Sequence, residues 1–97
     1  WRNLGGVLQE TGDVAGAVVA YQRAIALNPQ DADAHQNLSL ALLALDRPQE
    51  AVFHAEQVLT LRPDFADGYY NLGYGLRRAG QLPAAIAQYR RAIALKP

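Results

Sequence analysis

The sequence contains no cysteine and no methionine. Without cysteine there is no disulfide framework and no thiolate metal ligand, and the redox compartment leaves no trace in the composition. Without a methionine at residue 1, the chain is expected to be a fragment of a longer protein, with part of the function outside it. No run approaches the roughly 18 apolar residues that a membrane span needs. The opening WRNLGGVLQE is polar and glycine-broken where a signal peptide would be apolar. Membrane insertion is therefore not expected, and the cytoplasm is the default location. Net charge is zero and the isoelectric point is near 6.9, so the basic footprint of a nucleic-acid binder is missing. The adjacent Arg90 and Arg91 read as a solvated face.

What is present is an apolar chain, 51% hydrophobic and 19% charged, which is not the composition of a disordered segment. The charges are unevenly spread. Residues 1–31 hold two cations against three anions, residues 32–65 two against five, and residues 66–97 five against one, for net values of −1, −3 and +4. Such asymmetry bears on partners and association more than on fold.

Repetition dominates the pattern. A shift of 34 aligns Pro29, Pro63 and Pro97, and also Leu4, Leu38 and Leu72, then Leu8, Leu42 and Leu76. Ala17, Ala51 and Ala85 follow, as do Leu27, Leu61 and Leu95, and Asn3, Asn37 and Asn71. A shift of 68 gives 13 identities in 29 aligned positions, far beyond chance, so the chain is read as three units: 1–31 (short of its first few residues), 32–65 and 66–97.

Each unit holds two apolar stripes at helical spacing, broken in the first unit by Gly12-Asp13 and ended by Asn28-Pro29. Six helices are expected, over 1–11, 14–27, 32–45, 48–61, 66–79 and 82–95. Asp31 and Asp64 stand where a carboxylate can cap the next helix. Pro48 and Pro83 fall in a first turn, where the missing N–H is not needed. Gly5, Ser39 and Gly73 on the first helices, and Ala17, Ala51 and Ala85 on the second, allow helices to approach closely.

These residues resemble the tetratricopeptide repeat (TPR) pattern: tryptophan-x2-leucine-glycine-x2-tyrosine, then alanine-x3-phenylalanine, then proline. Trp1, Leu4, Gly5, Leu8, Ala17, Tyr21, Ala24 and Pro29 carry it in the first unit. Tyr69, Leu72, Gly73, Leu76, Ala85, Tyr89, Ala92 and Pro97 carry it in the third. The middle unit departs from it, with His35 for the first aromatic, Ser39 for glycine, Ala55 for the second aromatic and Val58 for alanine. Phe53 is expected to refill the volume that Ala55 leaves. The resemblance implies an all-α, right-handed solenoid whose first helices line a concave groove that takes a peptide or partner segment.

On that groove, Asn3, Asn37 and Asn71 recur one per unit. An amide both donates and accepts, which suits a peptide backbone held without regard to sequence. Tyr70, Tyr74 and Arg78 are spaced i, i+4, i+8 with Arg77 beside them, and tyrosine and arginine are the usual residues of binding hot spots. An acidic or aromatic partner side chain suits that patch. A related TPR subgroup clamps chaperone C-terminal carboxylates with lysine, asparagine and arginine. Here Arg2 and Asn37 match, but Gly6 replaces an asparagine, and Asp67 and Asn71 replace two cations, which argues against that ligand.

No enzyme chemistry or cofactor is expected. His35 and His54 are 19 residues apart with no HxxxH or ExxH pair, so no metal site is read. Ser39 has no adjacent base, and Gly5-Gly6 lack the phosphate-loop spacing. The last helix carries Leu82, Ile86, Tyr89 and Ile93 along one side. Self-association through that side, or head to tail between basic and acidic ends, is the alternative expectation.

Overall fold

The structure, a computed structural model, describes residues 2–97, so Trp1 and its place in the repeat pattern lie outside the described residues. Six helices run in order: α1 (Arg2–Glu10), α2 (Val14–Leu27), α3 (Ala32–Ala44), α4 (Pro48–Leu61), α5 (Ala66–Arg78) and α6 (Leu82–Leu95). The described residues contain no strand. Each helix packs on its sequence neighbours, and α3 also touches α1 and α5. That pattern is a stack of helix pairs, an all-α solenoid of 33 × 24 × 20 Å. Three layers at the usual helix spacing of about 10 Å account for its long dimension.

The turn inside each pair is built the same way three times. Gly12, Asp46 and Gly80, 34 residues apart, all adopt positive φ, at 90°, 60° and 83°. The next residue's N–H then bonds back across the helix end to Leu8, Leu42 or Leu76 at 2.8–2.9 Å. This left-handed C-terminal turn is natural for glycine and tolerated by aspartate. The N-termini are less uniform. Asp13 and Asp31 cap α2 and α3 by accepting from Gly16 and Ala34. The cap expected of Asp64 is not formed. Phe65 takes the N-cap position of α5 with no side-chain bond, because it, and not Asp64, stands directly before the helix. Pro48 and Pro83 do occupy first turns, of α4 and α6.

The small residues set how near the paired helices come. Ala17, Ala51 and Ala85 are buried on the second helices. On the first, a methyl group placed on Gly5 would lie 2.5 Å from Tyr21 Cε1, and one on Gly73 would lie 2.9 Å from Tyr89 Cδ1. In these two units a tyrosine ring fills the space that glycine leaves. The middle unit exchanges both partners: Ser39 replaces glycine, Ala55 replaces the ring, and Ser39 Oγ donates to the Ala51 carbonyl at 2.8 Å. Phe53 does not refill the gap. It stands largely exposed and meets the His54 ring edge-on at 5.0 Å. The repeated Leu27 also lies outside the core, exposed at its helix end.

The two histidines, 19 residues apart in sequence, are brought together by the fold. Buried His35 takes the place that Tyr69 holds in the third unit, down to its hydrogen bond. His35 Nε2–H donates to the Pro29 carbonyl at 3.1 Å, as Tyr69 OH donates to the Pro63 carbonyl at 2.9 Å. With its proton on Nε2, His35 presents the Nδ1 lone pair to His54 Nδ1, 3.1 Å away, which donates. The rings stack at 5.3 Å. Burial, and then the facing His35, hold His54 below the usual imidazole range, and Glu50 opposes them weakly.

Two outcomes test this account. Because the folded His54 favours the neutral form, the unfolded chain binds more protons below an imidazole's free value of about 6.5. The stability this group contributes is complete above that pH and declines as pH falls below it toward the lowered folded value. Thermal melts at pH 7.5 and pH 5 should show a loss in the native chain that His54→Gln, the residue of the third unit at this position, reduces. In the third unit, Gly73→Ser should cost about 1–3 kcal/mol by overpacking. Adding Tyr89→Ala, which recreates the middle unit's pair, should cost less than the two single changes together, as a double-mutant cycle in urea would measure.

Candidate functional site

The first helices, α1, α3 and α5, carry the residues expected to line the groove. Asn3 is exposed and Asn37 and Asn71 are half-buried. No hydrogen bond joins any of the three side chains to another described residue. Asn3 borders a shallow crevice with Arg2, Ala24, Leu27 and Asp31. Asn71 borders a narrow cleft between units with Gln36, Ser39 and Gly68. The three amides thus share a repeat position without being tied to one another, and their donors and acceptors are uncommitted.

The third-unit patch is divided by the fold. Tyr70 is exposed on the last pair, its ring 5.4 Å from that of Tyr89. With Asp67, Arg77, Ile93 and Lys96 it lines an open crevice of about 420 Å³. Tyr74 is half-buried against the core shared by α2, α3 and α4. Both guanidinium groups stand over its ring, that of Arg77 at 5.1 Å and that of Arg78 at 5.8 Å. Arg78 is a structural tie: it donates to Asp46 Oδ1 at 2.9 Å and to Tyr74 OH at 3.3 Å, joining the third unit to the turn of the second. Arg77 is exposed and pairs with no described carboxylate, so it is the cation of the patch that a partner can reach.

At the other end of the groove, the charges are spent on each other. Arg2 reaches across to Asp31 at 3.1 Å and Asp33 at 3.3 Å, and Arg62 meets Asp33 at 3.0 Å. These contacts, largely exposed, contribute little individually. They do neutralise Arg2, the one residue matching a cation of the carboxylate-clamping pattern. Of these contacts, Arg2–Asp33 joins two units, whereas Arg62 and Asp33 both belong to the second, with Lys96 and Asp67 at the same repeat positions in the third.

The remaining candidates form no reaction centre. The His35–His54 pair has no third ligand, and no group of three or more His, Cys, Asp or Glu gathers among the described residues. Ser39 is buried and its hydroxyl is engaged by a backbone carbonyl. None of the described helices is long and apolar enough to cross a membrane. Leu82, Ile86 and Ile93 are exposed along α6, and Tyr89 is half-buried between Gly73 and Tyr70.

Comparison with known proteins agrees with the architecture. Tetratricopeptide repeat models match residues 3–46, 32–65 and 66–97. The Hsp70-Hsp90 organizing protein of Triticum aestivum is 36% identical over 79% of the chain, which spans only 13% of that protein's length. Among solved structures, MamA superposes with a TM-score of 0.93 at 26% identity, over 98% of this chain and 56% of that one. The second TPR of Spaghetti (RPAP3), bound to the HSP90 peptide SRMEEVD, superposes with a TM-score of 0.93 at 21% identity, over 98% and 88%. Three matched models that together cover residues 3–97, on six helices stacked in pairs, place the chain in the tetratricopeptide repeat family.

Proposed function

We propose that the chain is a protein-interaction module that holds an extended segment of a partner along α1, α3 and α5, and that it performs no catalysis. The observation that carries this reading is the row Asn3, Asn37 and Asn71, three amides in one repeat position whose polar atoms have no partner among the described residues. A half-buried amide gains more from a new hydrogen bond than an exposed one, since less water competes for it. Spaced one per unit, the amides can take successive backbone groups of a peptide whatever its side chains.

Specificity is assigned to the third unit. Tyr70 offers an exposed aromatic face and Arg77 a reachable cation, so an acidic or aromatic side chain of the ligand is seated there. Arg2 and Arg78 are less available for that role than Arg77, because each is paired with an aspartate. The similarity to the wheat organizing protein and to a TPR bound to an HSP90 peptide supports protein or peptide as the ligand class. It does not extend to the ligand itself. The carboxylate-clamp positions hold Asp67 and Asn71 in place of cations, and an aspartate repels a carboxylate.

A peptide selected against the intact chain from a random library should lose about tenfold in affinity on Asn37→Ala, and more when Asn71→Ala is added. Tyr70→Ala with Arg77→Ala should remove its preference for acidic or aromatic residues, with helical circular dichroism unchanged in every variant. Calorimetric titration with SRMEEVD should give no tight binding. Peptides captured equally well by the asparagine and third-unit variants would place the ligand elsewhere.

A further inference from the structure

The His35–His54 contact does more than fill the space of an aromatic ring. In the third unit the same two repeat positions hold Tyr69 and Gln88. Tyr69 has one side-chain oxygen, which it spends on the Pro63 carbonyl, and Gln88 Oε1 is buried with no partner among the described residues. An imidazole has two nitrogens. His35 makes the bond to a proline carbonyl through Nε2 and still offers Nδ1 to α4, where His54 Nδ1 stands 3.1 Å away.

That separation suits a chelating pair. Imidazole nitrogens bind zinc, copper or nickel at about 2.0–2.1 Å, so two of them at square or tetrahedral angles on one ion lie about 2.8–3.4 Å apart. The outer bond is in place as well, since a metal-bound histidine is oriented by donating its other N–H, here to a backbone carbonyl. His54 is half-buried, and its Nε2 is neither buried nor bonded, so the pair is open to water on one side. The proton on His54 Nδ1 can therefore move to Nε2, which frees both Nδ1 lone pairs with no net change of charge. Burial and the facing His35 keep His54 in the neutral form that a metal requires. Glu50 adds a negative charge near His54. Arg47 holds both of its carboxylate oxygens, at 2.9 and 2.6 Å, so it is a neighbour and not a ligand.

We infer that His35 and His54 form a two-nitrogen binding site for one divalent cation of the imidazole-preferring class (zinc, copper or nickel), which ties α3 to α4 in the middle unit. No third His, Cys, Asp or Glu gathers with them among the described residues, so water fills the remaining positions. The site belongs to this unit alone, because Ala20 and Gln88 stand at the position of His54 in the other two. It shares no residue with the amide row. An ion there replaces one hydrogen bond between the helices by two coordinate bonds, and so stiffens the unit that departs furthest from the repeat pattern.

The test titrates the untagged chain with Cu2+ and with Zn2+ at pH 7.5 by calorimetry. One ion per chain should bind, copper more tightly than zinc. At a free copper concentration a hundred times the dissociation constant, the thermal midpoint should rise by about 5 °C or more. Pulsed electron paramagnetic resonance of the copper-loaded native chain, a readout that needs no substitution, should show two coordinated imidazoles. Giving the middle unit the residues of the third, His35→Tyr with His54→Gln, should abolish both the binding and the midpoint rise while helical circular dichroism is unchanged. Binding that persists in that variant, an ion shared between two chains, or fewer than two imidazoles in the native spectrum overturns the inference. So does the absence of saturable binding of either ion.

Discussion

Each helix pair rests on a close approach that tolerates almost no side chain on one partner. A helix backbone meets its neighbour at Gly5, Ser39 or Gly73 on one side and Ala17, Ala51 or Ala85 on the other. The cost of using such small residues is lost apolar burial, and the aromatic rings of Tyr21 and Tyr89 recover it by lying flat over the glycines. Tyr21 shows how complete that recovery is. It is 1% exposed, its hydroxyl donates to Gln9 Oε1 at 2.6 Å, and burial raises its pKa so that it stays a neutral donor. Because the pairs are thin, no pair closes a core alone, and stability comes from pair stacked on pair.

The groove follows from the same constraint. First helices that stack closely present one face per unit to a common surface, so a residue at one repeat position recurs along it in a row. The amides exploit that regularity. The charged residues do not: Arg2 pairs with Asp31 and Asp33 and Arg62 with Asp33 around the start of the second unit, and Arg78 reaches Asp46 across the second junction. The basic character of the last unit is accordingly less available to a ligand than its net charge implies.

Much of this was legible in the residues. Prolines, glycines and the 34-residue period mark all six helices to within two residues at either end, since they act through local backbone geometry. The repeated Ala17, Ala51 and Ala85 and Leu38, Leu42, Leu72 and Leu76 are buried, whereas the repeated Leu4, Leu27 and Leu95 are exposed. What escaped the sequence depends on neighbours distant along the chain. His35 and His54 meet only because two helices pack side by side, although the alignment of His35 with Tyr69 did signal their shared bond to a proline carbonyl. The cap expected of Asp64 fails because the repeat register puts Phe65, not Asp64, at the position of Asp31, directly before the helix that starts at Ala66 as expected. Phe53 sits one position from the face that would have carried it inward, and the Ser39–Ala55 exchange removed the need for it. Among the candidate site residues, the amide row was periodic and therefore visible. The commitment of Arg78 to Asp46 was not.

That last contact gives one turn a property the other two lack. Gly12 and Gly80 enter the left-handed region without steric penalty and carry no side chain that reaches outward. Asp46 enters it at some cost, and its carboxylate takes hold of an arginine on the next unit. A turn that elsewhere only closes its own pair is here mechanically joined to the pair above. The joint is electrostatic and solvent-facing, so its stiffness falls with ionic strength over a screening length of about 8–10 Å. Salt therefore weakens that joint while leaving the helices and the apolar contacts between α4 and α5 in place.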